Sequence, residues 1–373
     1  MTMNREHIAR AERFHQLHNE PRPLVLANAW DAASVRIVEE AGAQAIGTTS
    51  AGMAWTQGYS DGEQMPVHEL LAACQRICRT ASTPVSVDIE RGYGRDAKDT
   101  GGLVGALMQL GVVGINIEDG TDPGTHTLAH PSILTRRIAC ARDMARHHGL
   151  PLFINARIDT YVATGTETAA RLEETRQRAL AYIDAGADGI FVPGLADLGD
   201  IAHLARALPV PLNIYAGYPG APSVDALQRA GARRISLGCG PMQSVMAHLA
   251  RIAAEAFTEG RYDTMATHML TPAQANALFR STPVRDDNTT HRVRRTGMGD
   301  GPVGLLFAQP RHSVRPNGTR LSDVELTTRN GMHKTTVPGV ARGSARPGLA
   351  QQALRRLAAS FLGAFGGTRA GGR

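Results

Sequence analysis

The stretch MQLGVVGINIED, residues 108–119, decides the fold, because it joins the end of a helix, a glycine-centred turn and a buried strand. The same pattern recurs as EEAGAQAIGTTS (39–50), IDAGADGIFVPG (183–194) and QRAGARRISLG (228–238). Glycine enters the left-handed conformation that commonly ends a helix without a side-chain penalty. The glycines predicted to do so are Gly42, Gly111, Gly186 and Gly231. Each repeat therefore predicts a helix that turns directly into a strand.

Between residue 24 and about residue 260, short apolar runs alternate with longer stretches of helical periodicity. The predicted strands are LVLANAW (24–30), AIGTTS (45–50), PVSVDIE (84–90), VGINIED (113–119), LFINARID (152–159), DGIFVPG (188–194), PLNIYAG (211–217) and RISLG (234–238). The predicted helices include 31–40, 67–80, 133–148, 168–185 and 242–257. Near-continuous apolar strands separated by helices are typical of parallel strands that are buried on both faces.

This alternation predicts an α/β fold, a (β/α)8 TIM barrel, because eight strand–helix pairs in about 240 residues match the usual size of that fold. The expected organisation is an N-terminal helix in residues 1–22 and a catalytic barrel with its terminal helices in residues 23–280. An open doubly wound sheet is the alternative. It normally needs fewer strands, and no GxGxxG fingerprint follows the first strand.

Residues 281–373 lack this alternation and are rich in Gly, Arg, Ser and Thr. They are predicted to form a disordered basic tail, which is either a genuine binding arm or the product of a shifted reading frame or gene fusion. Their net charge is +10, whereas that of residues 1–280 is −4. The net charge of +6 therefore gives no information about the substrate of the barrel.

The overall composition, with 42% hydrophobic and 20% charged residues, is typical of a soluble globular protein. No apolar run reaches the roughly 20 residues that cross a membrane, and the N-terminal residues lack the apolar core of a signal peptide. A cytoplasmic protein that does not bind membranes is expected. The four cysteines, which are predicted to be buried reduced thiols without metal-finger spacing, are Cys74, Cys78, Cys140 and Cys239.

Acidic residues end two of the central predicted strands. In PVSVDIERGYG, residues 84–94, Asp88 and Glu90 are two positions apart and therefore point to the same side of a strand. The strand VGINIED ends in Glu118 and Asp119. Together these carboxylates suggest a divalent metal held by oxygen ligands, most plausibly Mg²⁺. The alternative is that the acids cap helices or lie in solvated loops.

Further polar residues end the other predicted strands, at the rim where barrels of this type carry their chemistry. These residues are Asn28, Trp30, Asp31, Thr48, Thr49, Ser50, Asn155, Arg157, Asp159, Asn213, Tyr215 and Ser236. Arg157 among the acids suits an anionic, carboxylate-bearing substrate, which a metal and a guanidinium hold jointly. The alternative is a salt bridge from Arg157 to Glu118 or Asp159 that only stabilises the barrel.

Several motifs resemble the isocitrate lyase and phosphoenolpyruvate mutase superfamily, in order and from about residue 11 to residue 279. They are NAWD (28–31), TSAG (49–52), GYSDG (58–62), DIERGYG (88–94), INIED (115–119), NARID (155–159), and the NIYAG and RISLG segments. The resemblance implies a Mg²⁺-dependent barrel that cleaves or forms C–C or P–C bonds beside an α-oxo acid. It also implies a homo-oligomer that exchanges its last barrel helix, here roughly residues 242–257.

The resemblance implies a role for each matching position. Asp88 is the expected direct ligand of Mg²⁺, for which Mn²⁺ is the alternative, with Glu90 beside it and Glu118 and Asp61 reaching the metal through water. The residues expected to act in catalysis are Arg157, Asp61 and Glu118. The residues expected to bind substrate are Trp30, Ser50, Ala51, Gly52, Asp88, Arg157 and Asn213. The implied mechanism passes through an enolate that the metal and Arg157 stabilise.

The loop DGTDPGTHTLAHP, residues 119–131, departs from the family pattern. It lacks the Cys of isocitrate and methylisocitrate lyases and the Lys and Asn-Ser of phosphoenolpyruvate mutases, which argues against both activities. Asp122, His126 and His130 are the groups left there to move a proton.

Three functions therefore stay open. The first is a lyase or hydrolase acting on a small α-oxo or 2-hydroxy dicarboxylic acid, and the second is a phosphonomutase or phosphonopyruvate hydrolase. The third is an inactive barrel whose basic tail binds an anionic surface. Nucleic acid is not the expected partner, because the tail does not interleave aromatic and basic residues.

Overall fold

A computed structural model describes residues 4–120, 128–163 and 168–280 of the chain. The predicted basic tail, residues 281–373, lies outside the described residues. The described strands are β1 (Leu24–Leu26), β2 (Ile46–Gly47), β3 (Val85–Asp88), β4 (Gly114–Glu118), β5 (Phe153–Arg157), β6 (Gly189–Val192), β7 (Leu212–Tyr215) and β8 (Arg234–Ser236).

The eight strands are parallel and follow the order β1-β8-β7-β6-β5-β4-β3-β2. A parallel bridge between Ala29 and Thr48 connects the two ends of this order, and the amide of Ala29 donates to the carbonyl of Gly47 at 2.8 Å. The sheet is thereby closed. The predicted (β/α)8 TIM barrel is confirmed, because every strand pairs with its neighbour and helices separate consecutive strands.

The helices of the described residues surround the barrel and extend beyond it. They are α1 (Arg5–Leu17), α2 (Ala32–Glu40), α3 (Ser50–Thr56), α4 (Val67–Thr80), α5 (Ala97–Gln109), α6 (Pro131–His148), α7 (Thr168–Asp184), α8 (Leu198–Ala207), α9 (Val224–Arg229), α10 (Gly240–Glu259), α11 (Asp263–Ala266) and α12 (Pro272–Arg280). The predicted helix over 67–80 agrees with α4 at both ends, and the other predicted helices differ at their ends by one to two residues.

Helix α1 packs against the barrel through Phe14, which is fully buried. The Phe14 ring meets Phe153 of β5 edge to face, with centroids 5.5 Å apart. A side chain at Gly114 of β4 would place its Cβ only 2.7 Å from the Phe14 ring. The helix therefore contacts the first residues of β4 and β5, so that it lies at the amino-terminal end of the strands.

All eight predicted strands are longer than the observed ones. The strand predicted over 45–50 ends at Gly47, because the Thr49 side chain caps a helix, α3, that starts at Ser50 and was not predicted. The strand predicted over 84–90 ends at Asp88, and Glu90 has a left-handed backbone with φ of 49°. The four glycines predicted to end helices have φ values between 95° and 110°, which confirms that interpretation.

The four cysteines are all free thiols, as predicted. Cys74 and Cys78 are buried on α4, while Cys140 and Cys239 are only partly buried. Among the described helices, none combines the length and the apolar character needed to cross a membrane.

Candidate active site

Three predicted site residues come together at the carboxyl-terminal ends of neighbouring strands. Asp88 is the last residue of β3, Glu118 the last of β4, and Arg157 the last of β5. The strand register pairs Glu118 directly with Arg157 and pairs Asp88 with Asn116, two residues before Glu118. Side chains alternate between the two faces along each strand, and this register turns all three toward the inside of the barrel rim.

Arg157 is held by two carboxylates. Its Nε and Nη2 donate to Oδ1 and Oδ2 of Asp159 at 2.6 and 2.9 Å, which makes a bidentate pair. Its Nη1 lies 2.8 Å from Oε2 of Glu118. The salt bridges that the sequence analysis gave as the alternative interpretation are therefore present. They leave Arg157 at the rim, where an anionic ligand can compete with Asp159 for the guanidinium.

Asp88 lies in a buried and negatively charged environment. Its backbone amide donates to Thr48 Oγ1 at 2.9 Å, and its Oδ1 accepts from the amide of Glu90 at 3.3 Å. Burial raises the pKa of Asp88, Arg157 opposes the shift, and the charge of Asp61 adds to it. The loop between α3 and α4, which carries Asp61, lies beside the strand ends, because the amide of Glu63 donates to Oε2 of Glu90 at 2.7 Å. The role of Asp61 itself stays a prediction.

Glu118 completes the acidic group. Burial raises its pKa well above the ordinary value, Arg157 opposes this, and Asp159 and Asp88 raise it further. Its Oε2 is buried and has no hydrogen bond of good geometry in the described part of the chain, although Arg157 is close. Arg157 offsets part of the charge of Glu118, whereas Asp88 and Asp159 add negative charge beside it.

Glu90 clamps two loops together. Its Oε2 accepts from the amide of Glu63 at 2.7 Å, and its Oε1 accepts from the hydroxyl of Tyr93 at 2.8 Å. The amide of Tyr93 donates in turn to Oε1 of Glu63 at 2.7 Å. These three residues have positive φ values of 49°, 61° and 50°, which are unfavourable for side chains of this kind. The mutual hydrogen bonds hold this strained arrangement and fix the loop that carries Asp61.

The clamp bears on the predicted metal role of Glu90. Both of its carboxylate oxygens already accept hydrogen bonds from protein donors. Burial raises the pKa of Glu90 to about 8, with the charge of Asp61 as the next cause. Direct metal ligation by Glu90 stays a prediction, whereas its role in positioning the loop follows from the contacts.

The donor set fits a hard divalent cation. Asp88 and Glu118 supply carboxylate oxygens, and burial raises the pKa of each, with the charges of neighbouring acids adding to the shift. Within residues 4–120, 128–163 and 168–280, no group of three or more His, Cys, Asp or Glu side chains is arranged so that it could hold a metal ion. Mg²⁺ does not need such a group, because it usually keeps several waters and takes only one or two protein carboxylates.

The other predicted substrate-binding residues are divided between the rim and the interior. Ser50, Ala51 and Gly52 are buried in the first turn of α3, whose first amides lack intrahelical partners. The amide of Gly52 faces Thr49 Oγ1 at 3.4 Å, and a Cβ at Gly52 would lie 3.0 Å from that of Trp30. Trp30 therefore packs on this turn, and only glycine fits at the contact.

Asn213 lies deeper in the barrel than was expected. It is two residues before the end of β7, and its Oδ1 accepts from Ser236 Oγ at 3.1 Å. Its Nδ2 has no hydrogen-bond partner among the described residues. Its register partner Arg234 is also fully buried and donates from Nη2 to Asn116 Oδ1 at 3.1 Å. These residues form a polar layer inside the barrel, below the rim.

Comparison with known proteins identifies the family. The sequence matches the family model described as phosphoenolpyruvate phosphomutase over residues 14–257. The chain belongs to this family. The resemblance inferred from the motifs is thereby confirmed.

The family relatives have several activities. A Mycobacterium tuberculosis protein without an assigned activity is 36% identical over 251 residues, which are 66% of this chain and 89% of that protein. Oxaloacetate decarboxylase of Pseudomonas fluorescens (strain SBW25) is 28% identical over 240 residues, which are 63% of this chain and 80% of that protein. A solved structure of a candidate phosphonomutase from Burkholderia cenocepacia J2315 shares 37% identity, with a TM-score of 0.63, and the match covers 67% of this chain and 99% of that one.

The sequence analysis grouped Asp119 with the possible metal ligands, but its contacts show that it positions a neighbouring segment. Its Oδ2 accepts from Arg178 Nη1 at 3.0 Å and from the hydroxyl of Tyr182 at 2.8 Å. Its Oδ1 accepts from the amide of Asp159 at 3.0 Å. Neighbouring strand residues point to opposite faces, so Glu118 faces the barrel and Asp119 faces α7. Asp119 thus positions the segment that carries the partner of Arg157.

The loop groups proposed for proton transfer are only partly visible. Asp122 and His126 lie outside the described residues. His130 is the N-cap of α6, and its Nδ1 lies 2.9 Å from Ser132 Oγ and 3.3 Å from the amide of Ser132. His130 therefore has a structural role at the start of the helix.

Proposed function

We propose that this protein is a divalent-metal-dependent lyase or hydrolase that cleaves the C–C bond beside the carboxylate of a small α-oxo or 2-hydroxy dicarboxylic acid, through an enolate. The observation that carries the proposal is the meeting of Asp88, Glu118 and Arg157 on three neighbouring strands. The oxaloacetate decarboxylase among the relatives makes α-oxo dicarboxylic acids the first class to test.

Arg157 is proposed to orient a carboxylate of the substrate. Its Nε and Nη2 form the bidentate face that Asp159 occupies in the structure. A substrate carboxylate has the same geometry and can take this place. Asp159 stays close after such an exchange, because its amide is bound to the buried Asp119. The amides at the start of α3, around Ser50 and Ala51, are proposed as the second clamp on the anion.

The proposed cation is Mg²⁺, with Mn²⁺ as the alternative. Asp88 would hold it directly, while Glu118 and Asp61 would reach it through water. When bound, the cation supplies positive charge that stabilises the enolate oxygen. Glu90 holds the loop of Asp61 in place through Glu63, so that the acids keep their spacing.

A spectrophotometric panel tests the proposal. Pyruvate or other oxo-acid release from oxaloacetate, malate and their methylated analogues is followed with Mg²⁺, with Mn²⁺ and with EDTA. We expect turnover only with a cation, loss of turnover in Asp88→Asn, and full turnover in the matched exposed control Asp225→Asn. Failure to turn over any of these acids, or activity that survives Asp88→Asn, contradicts the proposal.

Phosphonate chemistry is the second candidate. It is favoured by the 37% identity to the candidate phosphonomutase, whose length this chain covers almost entirely. The same carboxylates and Arg157 suit phosphonopyruvate, since it is also an anionic α-oxo acid. Phosphate release from phosphonopyruvate, or its conversion into phosphoenolpyruvate, would establish this activity. Oxo-acid release from dicarboxylates without phosphonopyruvate turnover would exclude it.

A homo-oligomer with exchange of the helix over 242–257 is also proposed. Helix α10 carries exposed apolar side chains that a partner can cover, including Val245, Leu249 and Phe257, which are 53%, 63% and 88% exposed. Light scattering after size exclusion should give a multiple of the 39.8 kDa chain. The variant Leu249→Asp should lower that mass, and a wild-type monomer contradicts the proposal.

A further inference from the structure

A cavity lies at the end of the barrel opposite to the candidate active site. Its volume is about 400 Å³, and it is lined by the segments that precede β1, β7 and β8. Segments that precede parallel strands lie at the amino-terminal rim, whereas the rim residues of the active site follow their strands. The volume falls within the range of roughly 300–1,000 Å³ that small-molecule sites occupy.

The cavity is strongly basic. Arg206 at the end of α8, Arg229 at the end of α9 and Arg233 just before β8 line it, with no Asp or Glu among the described residues of its wall. None of the three forms a salt bridge with a described carboxylate, although Arg233 Nη1 donates to the carbonyl of Glu20 at 3.3 Å. A basic residue in the last turn of a helix stabilises that helix. This accounts for the presence of an arginine at positions 206 and 229 but not at position 233.

Most of the other residues of the wall are apolar, although Asn19 also lines it. Its apolar residues are Ala202, Ala205, Leu208, Pro209, Val210, Pro211, Leu212 and Ala230. His18 adjoins them, and its ring stacks on Phe153 with centroids 4.0 Å apart. The cavity thus combines apolar side chains with three arginines, a combination that suits a ligand with one apolar part and one multiply charged anionic part.

Hydrogen bonds and close packing fix the walls. Gln228 Nε2 donates to the carbonyl of Pro21 at 3.0 Å and ties the end of α9 to the segment before β1. A Cβ at Gly231 would lie only 2.7 Å from that of Ala205, so the turn after α9 packs directly on α8. A preformed cavity binds its ligand with a smaller entropic cost.

We propose that this cavity binds an organic phosphate of the nucleoside diphosphate class. The phosphates contact Arg206, Arg229 and Arg233, and the base lies on the apolar wall. Guanidinium groups bind phosphate in a bidentate manner, and three positive charges match the charge of about −3 on a diphosphate ester. The site is separate from the proposed chemistry at Asp88 and Arg157.

The test is titration calorimetry of the full chain with ADP, with inorganic pyrophosphate and with adenosine, in EDTA to exclude metal-mediated binding. The variants are Arg206→Gln/Arg233→Gln, Arg233→Lys and the control Arg146→Gln, which is exposed in the last turn of α6 and lies outside the cavity. The variant Asp88→Ala reports whether any binding occurs at the active site instead.

We expect ADP to bind to the wild type and to Asp88→Ala with one site and equal affinity. The affinity should fall at least about tenfold in Arg206→Gln/Arg233→Gln and less in Arg233→Lys, as for the loss of charge-assisted hydrogen bonds. Pyrophosphate should bind more weakly than ADP, and adenosine should not bind.

Absence of ADP binding, or binding that Arg146→Gln weakens equally, overturns the proposal. So does binding that Asp88→Ala abolishes, or equal affinity for pyrophosphate and ADP. Because binding to the wild type is measured directly, a misfolded variant does not remove the test.

Discussion

Lowering the pH from 7 to 5 should destabilise this protein through His18. The ring is 1% exposed, its Nδ1 donates to the carbonyl of Phe14 at 2.8 Å, and burial together with Arg234 lowers its pKa from 6.5 to about 3. The folded state thus keeps His18 neutral, while the unfolded state protonates it below pH 6.5. The contribution of neutral His18 to the free energy of unfolding is fully present above pH 6.5 and is lost progressively as the pH falls below that value. At pH 5 the loss is about 2 kcal/mol, at about 1.4 kcal/mol per pH unit.

Urea unfolding of the wild type and of His18→Phe between pH 5 and 7 measures this effect. Phenylalanine keeps the stacking on Phe153 but cannot be protonated, so the variant should lose stability less steeply below pH 6.5. The variant His18→Phe also loses the hydrogen bond to the carbonyl of Phe14, but this loss of stability is the same at every pH. The control is His268→Gln at an exposed position, which should run parallel to the wild type. Parallel curves for His18→Phe and the wild type between pH 5 and 6.5 would refute the reasoning.

Three further substitutions test the site. Arg157→Lys should lower kcat/KM by about 100-fold, because one ammonium cannot replace two parallel hydrogen bonds, and steady-state kinetics on the substrate found in the panel checks this. Tyr93→Phe should cost about 2 kcal/mol in urea unfolding and lower kcat, since it leaves an oxygen of Glu90 without its donor; unchanged stability and kcat would contradict the clamp. Asp119→Asn should cost about 3 kcal/mol in the same assay, because it removes the buried one of the two carboxylates that pair with Arg178 and leaves only the more exposed Glu174; a loss below about 1 kcal/mol would argue against that role.

The barrel was predictable because its signals are local. Four helices are followed by a glycine and then by an apolar run, a pattern that is readable in any short window, and the φ values at Gly42 and Gly186 agree with that interpretation. The helix after Thr49 was missed because it is short and starts at once after a short strand, where an apolar run does not distinguish the two. The alternation rule could have separated Glu118 from Asp119 in advance, since adjacent strand residues face opposite sides.

The parts of the site that were not predicted depend on contacts distant in sequence. Glu63 and Glu90 are 27 residues apart, and their unusual backbone angles are stable only because each loop supplies a hydrogen bond to the other. Arg234 is one of two consecutive arginines, and only the register of β8 shows that it enters the barrel while Arg233 lines the cavity at the amino-terminal end of the barrel. A single sequence contains no direct signal for either arrangement.

The charge balance at the rim connects the geometry to the proposed chemistry. Arg157 is already bound by Asp159 and is close to Glu118, while Asp88 and Asp61 add further negative charge. Under the proposed function, an anionic substrate would enter a region that repels it unless a cation enters too. Its carboxylate would take the place of Asp159 on the guanidinium, and the cation would offset the remaining acids. Under the proposed function, substrate and cation thus bind favourably only together, which explains why a site for an anion contains more acids than bases.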